Sequence, residues 1–261
     1  TVSCDKNRSG IVSEAAARDA RYKVFVSELQ LNETLLLGHH QDDNLETMLL
    51  HLMRGAGPLG LSGIPSHRKL GQGFLLRPLL GCSRASLHEF ASRLKLNWIS
   101  DDSNSDVTYQ RNFLRRDVLP ILEMRWPAFR KSIEKSMRAC TEAHALNEQL
   151  AEKDLLFCKG ADRWVLSVTS LLSLELVRRK NLLRLWIAKL GLQRPSWSKL
   201  DLLATELLLS RENTSVPLGT FRICRFNGSI YGLSPRPLLP KNRYIVSIGE
   251  TSVALKKNGK L

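Results

Sequence analysis

Thr34-Leu35-Leu36-Leu37-Gly38-His39-His40-Gln41-Asp42-Asp43-Asn44-Leu45-Glu46-Thr47-Met48-Leu49 is the stretch on which the fold turns. An apolar run the length of a short buried strand ends at Gly38. A turn with two histidines then opens a segment whose apolar positions Leu45, Met48, Leu49, Leu52 and Met53 recur at helical spacing. Strand, polar turn and amphipathic helix make a βα unit, and an open α/β sheet binds its ligands at the carboxyl ends of its strands. His39 lies four residues before Asp43, and Asp43 three before Glu46, so a turn running straight into the helix sets them on one rim. The helix dipole favours acids in a first turn whatever their function. A whole group of ionisable side chains at a strand end, however, needs solvent or partners. Carboxylates here suit Mg²⁺ beside a phosphate better than zinc, because no cysteine is near.

To either side the pattern continues. Residues 13–30 read as a helix with Ser13 as N-cap and Ala15, Tyr22, Val26 and Leu29 on its apolar side. Phe74-Leu75-Leu76 reads as a strand, and Ser83 caps a helix to about Leu94 with Leu87, Phe90, Ala91 and Leu94 inward. Such alternation predicts an α/β fold with a parallel sheet. The segment 54–65, with four glycines and two prolines, is either a surface connection or a substrate-covering loop. Residues 109–124 look helical until Trp126-Pro127 interrupts them. Long helices follow at about 128–156, 170–190 (ended by Gly191) and 198–210, then Asn227-Gly228 between two strand-like runs predicts a β-hairpin. The predicted domains are a catalytic one at 1–127, a mostly helical basic one at 128–235, and a linker or the start of a further domain at 236–261.

The chain's 261 residues carry a formal charge of +14, all of it in one half. Residues 1–110 hold 12 Lys/Arg against 12 Asp/Glu, and residues 111–261 hold 27 against 13. A neutral half beside a basic half points to a polyanionic partner, nucleic acid ahead of an acidic membrane surface. The segment 111–138 has eight basic residues and three acids, and between Arg178 and Leu200 there are seven basic residues and no acid. Basic side chains there suit phosphate contacts, whereas Trp186 and Trp197, at helical spacing among apolar neighbours, are expected in the core. No run of 18 apolar residues exists and no secretory leader is visible, so no membrane span or export is expected. Five scattered cysteines without a C-x-x-C pair argue against a zinc knuckle, an iron–sulfur cluster or a disulfide framework.

His39-His40-x-Asp42-Asp43-x-x-Glu46-Thr47 resembles the second signature of the tRNA(Ile)-lysidine synthetase family of PP-loop ATP pyrophosphatases. Three further stretches agree in the family's order: Glu14-Ala15-Ala16-Ala17-Arg18-Asp19-Ala20-Arg21-Tyr22; Arg77-Pro78-Leu79-Leu80 with Ser83-Arg84; and Asp102-Ser103-Asn104 with Tyr109-Gln110-Arg111-Asn112-Phe113-Leu114-Arg115. The resemblance is dense from about residue 13 to 127. It departs at one place: the family's S-G-G-x-D-S phosphate loop has no counterpart, and the expectation is a chain lacking that first strand.

The resemblance implies a PP-loop, adenine nucleotide α-hydrolase-like domain that uses ATP and Mg²⁺ to join free lysine to C2 of the wobble cytidine of tRNA(Ile), through an adenylated cytidine. It implies catalytic roles for His39, Asp43, Arg18 and Arg111, and substrate or nucleotide contacts for His40, Asp42, Glu46, Asn112 and Arg115. Asp43 and Glu46 are the expected Mg²⁺ ligands. Arg130, Lys131, Arg178, Arg179, Lys180 and Arg184 are the expected tRNA contacts. A homodimer is left open. The implied compartment is the bacterial cytoplasm, or the plastid stroma should a transit peptide precede Thr1. The rival readings are another PP-loop tRNA-modifying enzyme such as a thiolase, against which the absent cysteine pair argues, and a non-catalytic tRNA-binding remnant.

Overall fold

The computed structural model describes residues 14–98 and 110–233, with the paired two-residue strands Ala254–Leu255 and Gly259–Lys260. Ser13, Cys4, the Asp102-Ser103-Asn104 motif, Tyr109 and most of 236–261 lie outside the described residues. The chain divides into two compact units, residues 1–147 and 148–261.

In the first unit, α1 (Glu14–Glu28) leads to β1 (Thr34–Leu36), which runs parallel to β3 (Gly73–Leu76) with Leu35 opposite Leu75. The sheet is mixed rather than wholly parallel, because β2 (His67–Leu70) pairs antiparallel with the other edge of β3. His67-Arg68-Lys69 carries no apolar alternation, so β2 has no pattern of its own; its partner and the turn at Gly71 (φ +57°) make it a strand. Leu75 is fully buried at the sheet's centre.

Helix α2 (Gln41–Met53) follows β1, and Leu45, Met48 and Leu49 form a core with Leu114, Leu119 and Met137. Leu52 and Met53, expected inward, are 45% and 74% exposed, since that core ends one turn earlier. The glycine-rich segment contains a short helix α3 (Pro58–Leu61) and is fastened to α2. Asn44 Oδ1 accepts from Ile64 N–H at 2.6 Å, and His51 Nδ1 lies 2.7 Å from the Gly60 carbonyl. Helix α4 (Arg84–Arg93) starts where expected, with Ser83 accepting from Ser86 N–H, but Phe90 and Leu94 face solvent. The 110–125 segment is not one α-helix. It is α5 (Gln110–Phe113), a π-helical turn (Leu114–Val118) and α6 (Leu119–Arg125), ended at Trp126.

Helix α7 (Phe129–Cys158) begins where the sequence places it, and the two compact units divide within it. Phe129, Ile133 and Met137 pack on the α2 core, which binds the first half of α7 to the first unit.

The second unit is helical with a four-stranded antiparallel sheet, β4-β7-β6-β5, where the sequence alone gave one hairpin. The hairpin is there: β6 (Phe221–Phe226) and β7 (Ser229–Leu233) turn at Asn227 and Gly228, both at positive φ. Strands β4 (Val165–Ser167) and β5 (Ser215–Leu218) flank them. The expected helix at 170–190 is two helices, α8 (Val168–Ser173) and α9 (Leu176–Lys189), broken where Leu174 is extended. Likewise α10 (Trp197–Ala204) and α11 (Glu206–Leu209) break at Thr205. Leu182, Leu183, Trp186, Ile187, Leu200, Leu203 and Ile230 form the core between helices and sheet. No helix among the described residues is long and apolar enough to cross a membrane.

Candidate active site at the β1–α2 turn

The end of β1 delivers His39 and His40 into a turn, and His40 becomes the N-cap of α2 with extended backbone. Asp43 Oδ2 accepts from His40 N–H at 2.9 Å, satisfying a donor that a helix start leaves free. The His40 ring lies 3.7 Å from Asp42 and 3.5 Å from Asp43. The three acids of the motif therefore share one rim, as their spacing demands, but each has a different partner.

Glu46 is fully buried, and both its oxygens accept from Arg115: Nε–H to Oε1 at 2.7 Å and Nη2–H to Oε2 at 3.0 Å. Burial pushes the Glu46 carboxyl above the usual range, and the guanidinium opposes that shift. Arg115 also reaches to 3.5 Å of Asp43. It projects from the π-helical turn, whose wider register sets its side chain one step off the α-helical course. Asp42 accepts from Arg130 Nη1–H at 2.5 Å and from the Arg84 N–H, at the start of α4, at 2.8 Å. Burial alone would raise its pKa; the Arg84 N–H and the Arg130 guanidinium outweigh it and hold the carboxyl below its ordinary value. Arg130 also binds Glu123, so the sequence's tRNA candidate is drawn into the acid cluster.

His39 meets Arg77, which follows β3 and is 3% exposed. Arg77 Nε–H donates to His39 Nδ1 at 3.3 Å, Nη1–H to the Pro65 carbonyl at 2.6 Å, and Nη2–H to the Tyr22 hydroxyl at 3.3 Å. Burial, then Arg77, lowers the His39 pKa; Asp43 pulls the other way, and Arg111 and Arg18 add to the lowering. Arg18 and Arg68 lie against the Tyr22 ring, at 5.5 and 5.1 Å from its centroid. Arg111 Nη2–H donates to Thr47 Oγ1 at 3.2 Å, and Asn112 beside it is buried. The structure thus gathers His39, His40, Asp42, Asp43, Glu46, Arg111 and Arg115 at one strand end, with Arg18 one helical turn from Tyr22. Arg77 and Tyr22 were quoted in the sequence motifs without a role; the signal was Arg77's place directly after a strand, at the sheet's carboxyl edge.

As one of the two expected Mg²⁺ ligands, Glu46 does not fit this arrangement, because both its oxygens accept from Arg115.

In the second unit the expected tRNA contacts are engaged within the fold. Arg178 pairs with Asp154, whose side chain is 2% exposed; Arg179 donates to the carbonyls of Leu171, Leu172, Leu174 and Ala204; Lys180 pairs with Asp201. Arg184 stacks 4.4 Å over Trp197, which is 59% exposed rather than in the core, while Trp186 is buried and donates to the Arg163 carbonyl. Lys131, in the first unit, is exposed. Cys82, Cys140, Cys158 and Cys224 are free thiols, and burial pushes Cys158 up to about 11, which leaves it unreactive near neutral pH.

Sequence comparison matches this architecture to known proteins. Residues 1–122 match the model of a PP-loop domain, and residues 166–231 match that of a TilS substrate binding domain. The first 122 residues thus match a PP-loop domain. The chain resembles curated proteins named tRNA(Ile)-lysidine synthase. That of Serratia proteamaculans (strain 568) is 44% identical over 246 residues, covering 94% of this chain and 55% of that protein. That of Coxiella burnetii (strain RSA 493 / Nine Mile phase I) is 42% identical over 221 residues, 84% of this chain and 49% of that protein. The chain spans about half the length of the curated relatives it matches.

Proposed function

We propose that this chain carries the catalytic rim and substrate-binding unit of a tRNA-modifying ligase, which joins lysine to C2 of the wobble cytidine in tRNA(Ile) with a CAU anticodon. The observation that carries this reading is the rim itself. His39, Asp43, Arg111 and Arg115 converge at the carboxyl end of β1 in a PP-loop domain, and a TilS substrate binding domain follows in the same chain. The sequence names of its relatives and the charge of the second half support tRNA as the partner.

In the first step O2 of the cytidine attacks the α-phosphorus of ATP and pyrophosphate leaves. The lysine ammonium gives up one proton to water, the free amine attacks C2, the C2–O bond breaks, AMP departs, and the attached nitrogen gives up a second proton. Negative charge grows on the phosphoryl oxygens in the first step, so guanidinium donors at the rim stabilise it. Arg18 and Arg111 are our candidates for that role. Asp43, a carboxylate at the rim, faces the lysine ammonium and orients it.

Incubating the chain with ATP, labelled lysine and tRNA(Ile) tests the reading. Label on the RNA from the native chain, and about 10²-fold less from Asp43→Asn with RNA binding kept, is the expected result. RNA binding that weakens with salt while no label transfers would favour the non-catalytic alternative.

A further inference from the structure

We propose that Arg77 is a positioning residue that fixes His39 as the Nε2–H tautomer, so that His39 meets its ligand as a neutral hydrogen-bond donor. That the ligand is a nucleotide phosphate rests on the function proposed above; the tautomer does not.

The argument begins with what a guanidinium can do. Arginine has five N–H donors and no acceptor, so an atom facing its Nε–H offers a lone pair. Nδ1 of His39 faces it at 3.3 Å. A neutral imidazole has one donor and one acceptor, and with Nδ1 accepting, the proton resides on Nε2. A second proton on Nδ1 would set N–H against N–H and cation against cation.

Arg77 has little freedom to turn away. Its backbone N–H donates to the Ser66 carbonyl at 2.8 Å, which continues the β2–β3 pairing past the end of the strand. Its other two arms hold the Pro65 carbonyl and the Tyr22 hydroxyl. The residue is 3% exposed, so water does not compete for its donors.

The charges around the ring act in the same direction. Arg77 after β3, Arg111 on α5 and Arg18 on α1 disfavour a charged imidazole, and Asp43 on α2 favours it. Burial, the largest influence, also disfavours the charged ring. His39 therefore differs from its neighbour His40, whose ring lies between Asp42 and Asp43.

The test is long-range ¹H–¹⁵N correlation of the histidine side chains in the native 261-residue chain, with His39 assigned through His39→Gln. The expected spectrum shows a protonated Nε2 and an unprotonated Nδ1 at neutral pH, and a His39 titration below the ordinary histidine value. Arg77→Gln should raise that midpoint and admit the Nδ1–H tautomer. Tyr22→Phe, which leaves the Nε–H arm in place, should keep the tautomer. An Nδ1–H tautomer or an imidazolium in the native chain at neutral pH overturns the proposal, and it does so whether or not Arg77→Gln folds. Failure of lysine transfer, by contrast, would strike the functional reading and leave the tautomer standing.

Discussion

Arg115→Met tests how the acid cluster is held. The substitution keeps a long apolar stem and removes the guanidinium, so the Glu46 carboxylate stays buried with neither of its two hydrogen bonds. Breaking a buried pair from one side costs about 3–5 kcal/mol, because the remaining charge has no partner. Glu46 is 0% exposed but Arg115 keeps 24%, and that partial access to water sets the expectation near the low end, about 3 kcal/mol. The penalty also has a pH signature. In the native fold the Glu46 pKa is raised by burial, so its own contribution is present at acid pH and lost as pH rises through the folded value. Without Arg115 the folded value climbs further, and the variant suffers more near pH 7 than near pH 5. Hydrogen exchange of peptides from residues 41–53, followed along a urea series at both pH values, measures opening of α2 itself. The double variant Glu46→Gln/Arg115→Met should lose less than the sum of the singles, since Glu46→Gln removes the stranded charge. A native-like opening energy in Arg115→Met, within about 0.5 kcal/mol, would refute the reasoning, as would a penalty that grows in acid.

Gly63→Ala should lower thermal stability by about 2–4 kcal/mol, since residue 63 holds φ +78° and a Cβ would come within 2.2 Å of Asn44 Oδ1 and 2.3 Å of Met137 Cε. An unchanged melting temperature would show that the 54–66 loop is not anchored as described. Arg130→Gln should cost on the order of 1 kcal/mol, discounted for the exposure of its guanidinium. Asp42 has a depressed folded pKa, so the stability it contributes is present above the ordinary aspartate value and lost as pH falls through the folded one. The native and Arg130→Gln chains should therefore differ most near neutral pH and converge in acid, which denaturation at a series of pH values would show. Lys131→Ala should reduce the salt slope of tRNA binding by about one, whereas Arg179→Ala should lower the melting temperature of the second unit and leave that slope unchanged. The reverse pattern in filter binding and calorimetry would reassign both residues.

What the sequence disclosed and what it hid divide along physical lines. Local rules sufficed where one pattern dominated: α2 from its 3.6-residue periodicity, α7 after Trp126-Pro127, the end of α9 from Gly191, the hairpin from Asn227-Gly228. They failed where a partner elsewhere decides. β2 is a strand because β3 lies beside it, although His67-Arg68-Lys69 reads as exposed polar chain. Phe90 and Leu94 have helical spacing and face solvent, and Trp197 sits under Arg184 rather than in the core. In the site the histidines and acids of 39–46 were legible from spacing, because they lie within two turns of one strand–helix connection, whereas Arg18, Arg111 and Arg115 came only from the resemblance. Pairing was not: Glu46 with Arg115 and Asp42 with Arg130 join residues 69 and 88 positions apart, and no local pattern encodes such contacts.

Those pairings separate the work of three acids that the sequence presents as equals. Glu46 binds the π-helical turn to α2 through Arg115, at zero exposure. Asp42 binds the starts of α4 and α7 to the same helix, through the Arg84 N–H and the Arg130 side chain. Each spans elements far apart in sequence, and each has its charge answered by a guanidinium. Asp43 instead takes its short hydrogen bond from His40 within its own turn, and Arg115 stands 3.5 Å away with its nearer bonds given to Glu46. Of the three carboxylates it is the one whose guanidinium neighbour stands beyond 3 Å. A binding site needs such a group held rigidly while retaining capacity to bind. In the function proposed above, Glu46 and Asp42 supply the rigidity, and Asp43 with His39 the capacity.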